Sequence, residues 1–167
     1  MWGKGTHTNR TRNNMIHKFI KQFTQEEIKD IIQVRKDYYL ANQDLLETKN
    51  KIKLEPSSIG LYLGTATGKT FQPSPALIEL IAKKSNNKIF INKNTEWLFL
   101  CGRDIFGKGI IKANTQEGLV LVQNQKDENL GYGKIIDDIS HKERIVIKNI
   151  LDKGIYLRQE MSSSRTS

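Results

Sequence analysis

The stretch "GLVLVQNQKDENLGYGKIIDDISHKERIVIKNI", Gly118–Ile150, decides how the second half of this 167-residue chain folds. It contains three short apolar runs, "GLVLVQN", "LGYGKIID" and "RIVIKNI", each bounded by polar or glycine-containing turns. Upstream, "GIIKAN" (Gly109–Asn114) and "KIFIN" (Lys88–Asn92) have the same character. Several short strands at close spacing predict a small barrel, because closing the sheet removes exposed edges. Before them the pattern is mainly helical, which places a boundary near Asn86 or Asn87.

The first half reads differently. From Met1 to Phe23 there are five basic side chains (Lys4, Arg10, Arg12, Lys18, Lys21) and no acid, which predicts a basic flexible arm over 1–20. "TQEEIKDIIQVRK" (Thr24–Lys36) then reads as a helix, with Thr24 and Glu27 as a capping box and Ile28, Ile31 and Ile32 on one face. "DYYLAN" is expected to be a strand, "QDLLETKNKI" a helix with Leu45, Leu46 and Ile52 inward, and "IGLYLGT" a strand. Ser74-Pro75 opens a helix with serine as N-cap, proline at the first helical position, and Leu77, Leu80 and Ile81 as the apolar face. "TEWLFLCGRDIF" is expected to start as a helix capped by Thr95 and to break at Gly102, with Trp97, Phe99 and Leu100 packed inward.

Charge narrows the function. The net charge is +9 and the pI about 9.6. Such an excess attracts polyanions, either nucleic acid or an anionic membrane. No apolar run approaches the roughly 18 residues of a membrane span, and the single cysteine, Cys101, cannot form an internal disulfide. A cytoplasmic location is the expectation. Cys101 lies among apolar residues, where a buried, inert thiol is expected.

"GTATGKT", Gly64–Thr70, resembles a phosphate loop at first glance, but that loop needs four residues between its first glycine and the Gly-Lys pair, with a helix following at once. Here three residues separate Gly64 from Gly68, and Pro73 and Pro75 forbid a helix running on from Thr70. A strand-end turn is the expected structure, with Lys69 left as a point charge. His7, His17 and His141 have no metal-ligand spacing, and Asp137-Asp138 reads as a solvated loop. A non-enzymatic protein without cofactor or metal is expected.

The run "EWLFLCGRDIFGKGI" (Glu96–Ile110), "GLVLVQN" and above all "LGYGKI" (Leu130–Ile135) resemble a PUA domain, a small RNA-binding pseudobarrel. With "FTQEE", "YYLANQDLLETKNKI", "LGTATGK" and "DKGIYLRQE" in this order, the chain after about Lys21 resembles the Nip-seven ribosome-biogenesis factors. The resemblance implies an α+β protein: a small N-terminal α/β domain (21–86), then a PUA-type β pseudobarrel with short helices (87–160). A disordered tail (161–167) is expected after it. The resemblance also implies a non-enzymatic factor that binds U-rich or pre-ribosomal RNA, single-stranded or irregular, through the PUA half in large-subunit maturation, with assembly proteins contacted by the N-terminal half. A translation or tRNA-associated PUA factor is the alternative. Between the first helix and "DYYLAN" there is no room for a hairpin usual in that family, so a smaller N-terminal sheet is expected.

The resemblance carries RNA contact to Arg144 and Lys148, with Lys142 and Lys153 as neighbours, and to Arg103 and Lys108 beside Gly107 and Gly109. At even spacing Arg144 and Lys148 are expected to project from one side of a strand. Gly107 would admit an RNA backbone. Gly131 and Gly133 suit either close packing or ligand approach. Tyr132 between them is read as core rather than as a stacking platform.

Overall fold

A computed structural model describes residues 15–51 and 59–163. The chain divides into two compact units between Leu77 and Ile78.

The first unit begins with a helix, α1 (15–20), where a flexible arm was expected. Ile16, Phe19, Ile20 and Phe23 follow helical spacing and are all buried, so burial rather than charge governs this segment. The remainder of the expected arm, 1–14, lies outside the described residues, as does Ile52.

The helix expected over Thr24–Lys36 is absent. The Thr24 hydroxyl instead accepts from the Glu26 amide (3.1 Å), closing a local turn. The β-branched run forms β1 (Ile31–Val34), which pairs antiparallel with β2 (Asp37–Leu40) across Arg35-Lys36. Arg35 takes φ +57°, and its carbonyl accepts from the Gln33 side chain (2.7 Å). A β1–β2 hairpin therefore stands where the spacing had suggested a helix. After α2 (Gln43–Lys51) come β3 (Leu61–Thr67) and β4 (Thr70–Pro73), completing a four-stranded sheet in the order β1-β2-β3-β4. Leu45, expected inward on α2, is exposed.

The glycine loop is the turn between β3 and β4. Thr67 faces Thr70 in register, leaving Gly68 and Lys69 as a two-residue connection, with Gly68 at φ +60°. Two-residue hairpins favour glycine at such a position. An antiparallel strand follows where a phosphate loop would need a helix. Phe71 on β4 packs against Phe19 and, edge to face, against Tyr38, both with centroids 5.5 Å away.

Ser74 caps α3 (Pro75–Ala82) as expected: its Oγ accepts from the Leu77 amide (3.2 Å) and donates to the Tyr62 carbonyl (2.8 Å). Leu77, Ile78 and Ile81 are buried.

The second unit holds a curled six-stranded sheet in the order β6-β10-β9-β8-β5-β7. Its strands are β5 (Lys88–Ile91), β6 (Ile105–Phe106), β7 (Ile110–Ala113), β8 (Leu119–Gln123), β9 (Asn129–Ile135) and β10 (Ile145–Asp152). All ladders are antiparallel except β5 with β8. The ladder ends at β6 and β7 without closing. Those edges are short, two and four residues, and β7 carries an exposed Lys112, which limits edge pairing without full closure.

Helix α4 (Lys93–Leu100) follows β5. Its N-cap is Asn92, not Thr95: the Asn92 side chain accepts from the Thr95 amide (2.9 Å). Phe99 joins Ile89, Ile91, Ile105, Val120 and Val146 in the core. The last helix, α5 (Ile155–Ser163), extends into the expected tail, of which 164–167 lie outside the described residues. Arg158 on α5 clamps buried Asp152 through two bonds (2.9 and 3.0 Å) and also bonds the Leu100 carbonyl, fixing α5 to β10 and to the end of α4.

Tyr132 is core, as read from sequence, at 5% exposure. Burial pushes its phenol up to about 12. A phenol favoured neutral in the fold stabilises fully below its unfolded pKa of about 10, and this contribution falls as pH rises through 10 toward 12, by about 1.4 kcal/mol per unit. Tyr132→Phe is expected to flatten the loss of urea stability between pH ~10 and ~12. Identical stability profiles in wild type and variant would contradict this assignment.

Candidate nucleic-acid interface

The basic residues singled out by sequence fall at three places on the second unit. The first lies where β6 and β10 meet. Gly107 donates to the Arg144 carbonyl and Lys108 to the Lys142 carbonyl, each at 3.0 Å, so the "FGKG" and "HKER" segments lie side by side. Lys108 pairs with Glu143 (3.0 Å) and stands 5.8 Å from the Phe106 ring centroid; Arg144 lies 3.6 Å from Asp137.

Two carboxylates shape the turn into β10. Asp137 accepts from the Asp138 amide (2.8 Å) and lies 3.1 Å from His141 Nδ1, while Asp138 accepts from the Ser140 amide (2.8 Å). The backbone donors hold both carboxyls below their ordinary value, with His141 and Arg144 adding to the effect at Asp137. This pair is the turn's local scaffold and presents Lys142 and Arg144 to solvent.

The second place lies along β10 beside the end of α4. The Asp104 carboxylate accepts from the Asn149 amide (2.8 Å) and sits 3.8 Å from Lys148. The Asn149 side chain donates to the carbonyls of Phe99 (3.0 Å) and Arg103 (3.3 Å), tying Arg103 to the strand that carries Lys148. Lys148 also faces Lys134 directly across the β9–β10 ladder. Like charges opposite one another are unfavourable, and an anion between them would relieve that. Lys134 escaped the sequence reading because pairing register is invisible in a linear string.

The third place is Lys153, past the far end of β10. It forms an ion pair with Glu79 and is half-buried, which separates it from the others.

Strand parity does not place Arg144 with Lys148. Ile145 faces Phe106 and Ile147 faces Ile105, so Val146 is an extra, bulged residue, and Val146 and Ile147 are both buried. Both basic side chains are nevertheless exposed, at 71% and 63%. Gly107 is also not open to a ligand: a methyl group there would meet the His141 carbonyl oxygen at 2.5 Å. Gly131 and Gly133 are likewise packing glycines, set against the backbone of Leu151 and Lys148.

Of the charged groups, Lys108, Arg144 and Lys148 hold only exposed ion pairs, worth about 0 to 1 kcal/mol and readily exchanged for phosphate. Among the described residues, Arg103, Lys134 and Lys142 are in no ion pair. Cys101 is exposed rather than buried, since the helix turns its other face to the core. Among the described residues no three His, Cys, Asp or Glu side chains converge as a metal-binding group.

Residues 87–161 match the UPF0113 PUA domain family. A UPF0113 protein of Archaeoglobus fulgidus is 30% identical over 115 residues, 65% of this chain and 66% of that relative, so the match spans just under two thirds of the relative's length. The fold is similar to that of a conserved PUA domain protein from Thermoplasma acidophilum, with a TM-score of 0.57 at 15% identity over 90% of this chain and 95% of the other. A hypothetical protein from Pyrococcus horikoshii is similar too, at TM-score 0.55 and 12% identity over 87% and 91% of the two chains.

Proposed function

We propose, from the match of residues 87–161 to the UPF0113 PUA domain family, that the protein is a non-enzymatic, cytoplasmic RNA-binding factor acting in maturation of the large ribosomal subunit. The observation that carries this reading is the exposed set Arg103, Lys108, Lys134, Lys142, Arg144 and Lys148 on that domain, held by weak surface pairs or by none. The net charge of +9 acts in the same direction.

Capture is electrostatic. Phosphates displace Glu143, Asp137 and Asp104 from their lysine and arginine partners, and counterions leave the RNA. Phosphate contacts position the strand without reading sequence, which suits single-stranded or irregular precursor RNA. The first unit, with its four-stranded sheet, is left for assembly-protein partners.

Sequencing RNA crosslinked to the protein in cells tests the finer part of this reading. Precursor large-subunit rRNA is the expected product. Recovery of mainly tRNA or small-subunit RNA would replace ribosome biogenesis by a translation-associated role.

A further inference from the structure

Helix α4 carries the run Trp97-Leu98-Phe99-Leu100, yet only Phe99 is fully buried. At about 100° per residue, exposed Lys93, Asn94, Trp97, Leu98 and Cys101 share one face, opposite Thr95 and Phe99. Trp97 is 69% exposed and Leu98 49%. Sequence reasoning had placed Trp97 in the core; the helix instead spends its largest side chain on solvent. Among the described residues Trp97 has the highest exposure of the exposed large hydrophobics, and its indole presents a flat apolar surface with a polar N–H edge to solvent.

Charge identifies the occupant. Lys93 shares the face, and after Gly102 the chain folds back so that the Arg103 amide donates to the Leu98 carbonyl (3.0 Å). Arg103 is linked through Asn149 to the strand bearing Lys148, which faces Lys134. The C-terminal end of the aromatic helix is therefore tied through Arg103 and Asn149 to the strand that carries the cations. Glu96, the acid within the helix, is turned aside toward Asn124 (3.5 Å). An aromatic surface bordered by cations matches one ligand chemistry above others: a single strand whose base stacks while neighbouring phosphates are neutralised.

We propose that Trp97 is a base-stacking platform at the α4 edge of the interface, set beside Arg103 and Lys148. This rests on the RNA-binding reading above and adds to it the direction in which the strand leaves the basic patch.

The test uses the full chain carrying Trp2→Phe, so that Trp97 is the single tryptophan and can be excited selectively over the tyrosines, with oligouridylate as probe. Binding is expected to quench Trp97 emission. Trp97→Ala is expected to weaken binding roughly five- to 150-fold, the range for one stacked base. Trp97→Phe should restore most of the loss. The slope of log affinity against log salt should stay unchanged in Trp97→Ala, since no phosphate contact is removed, and the exposed position should leave thermal stability unchanged. Unquenched emission with equal affinity in Trp97→Ala, while wild-type binding remains salt-dependent, would overturn the platform and leave the basic interface standing. Concentration-dependent self-association lost on Trp97→Ala, with RNA affinity unaltered, would overturn it in favour of a protein contact. No oligouridylate binding by the wild-type chain would overturn both readings.

Discussion

Replacing Gly131 by alanine is expected to cost the second unit about 3 to 6 kcal/mol, as left-handed backbone strain and overpacking add. That is enough to leave a marginally stable domain largely unfolded. Gly131 sits on β9 at φ +145°, where L side chains are rarely found. An added methyl would also overlap the Leu151 carbonyl oxygen and fall 2.8 Å from the Asp152 Cα. Neither neighbour can give way. They belong to β10 at the point where its register with β9 shifts, and Asp152 is clamped by Arg158. Urea denaturation followed by circular dichroism measures this directly. A Gly131→Ala domain within about 1 kcal/mol of wild type would mean that β9 and β10 do not approach so closely.

Removing Arg144 and Lys148 together is expected to weaken RNA binding by about five- to thirtyfold, taking each exposed phosphate contact at about 0.5 to 1 kcal/mol. The fold should survive, because both side chains are solvent-facing and their partners Asp137 and Asp104 keep backbone donors, from Asp138 and Asn149. Removing Lys153 in the same way should weaken RNA binding far less, because it is committed to Glu79. Equal losses from the two changes in a filter-binding assay would disperse the interface along the whole length of β10.

The second unit was largely legible in the chain because its strands are short, apolar and separated by glycine or turn residues. "GLVLVQN", "LGYGKI" and "RIVIKNI" became β8, β9 and β10. The first unit was less so. Ile28, Ile31 and Ile32 match a helical period, but Ile31, Ile32 and Val34 equally suit a strand, and the positive φ at Arg35 that closes the hairpin leaves no trace in residue type.

The site shows the same limit. Arg103, Lys108, Lys142, Arg144 and Lys148 could be named from sequence, but their grouping could not. The bulge at Val146 breaks the parity that had joined Arg144 to Lys148, and Lys134 comes into the group only through its register with Lys148. Trp97 was misplaced because four consecutive apolar residues on a helix cannot all face inward, and nothing in their identity says which are left outside.

The most direct test of RNA capture by this domain is the salt dependence of oligouridylate affinity, measured for wild type and for the Arg144→Ala, Lys148→Ala double variant. At about −0.7 per phosphate neutralised on a single strand, the six exposed basic groups set a wild-type slope between about −2 and −4, according to how many engage at once. The double variant should be shallower by about 1.4. A wild-type slope near zero, or one that the double substitution leaves unchanged, would contradict phosphate capture at this surface.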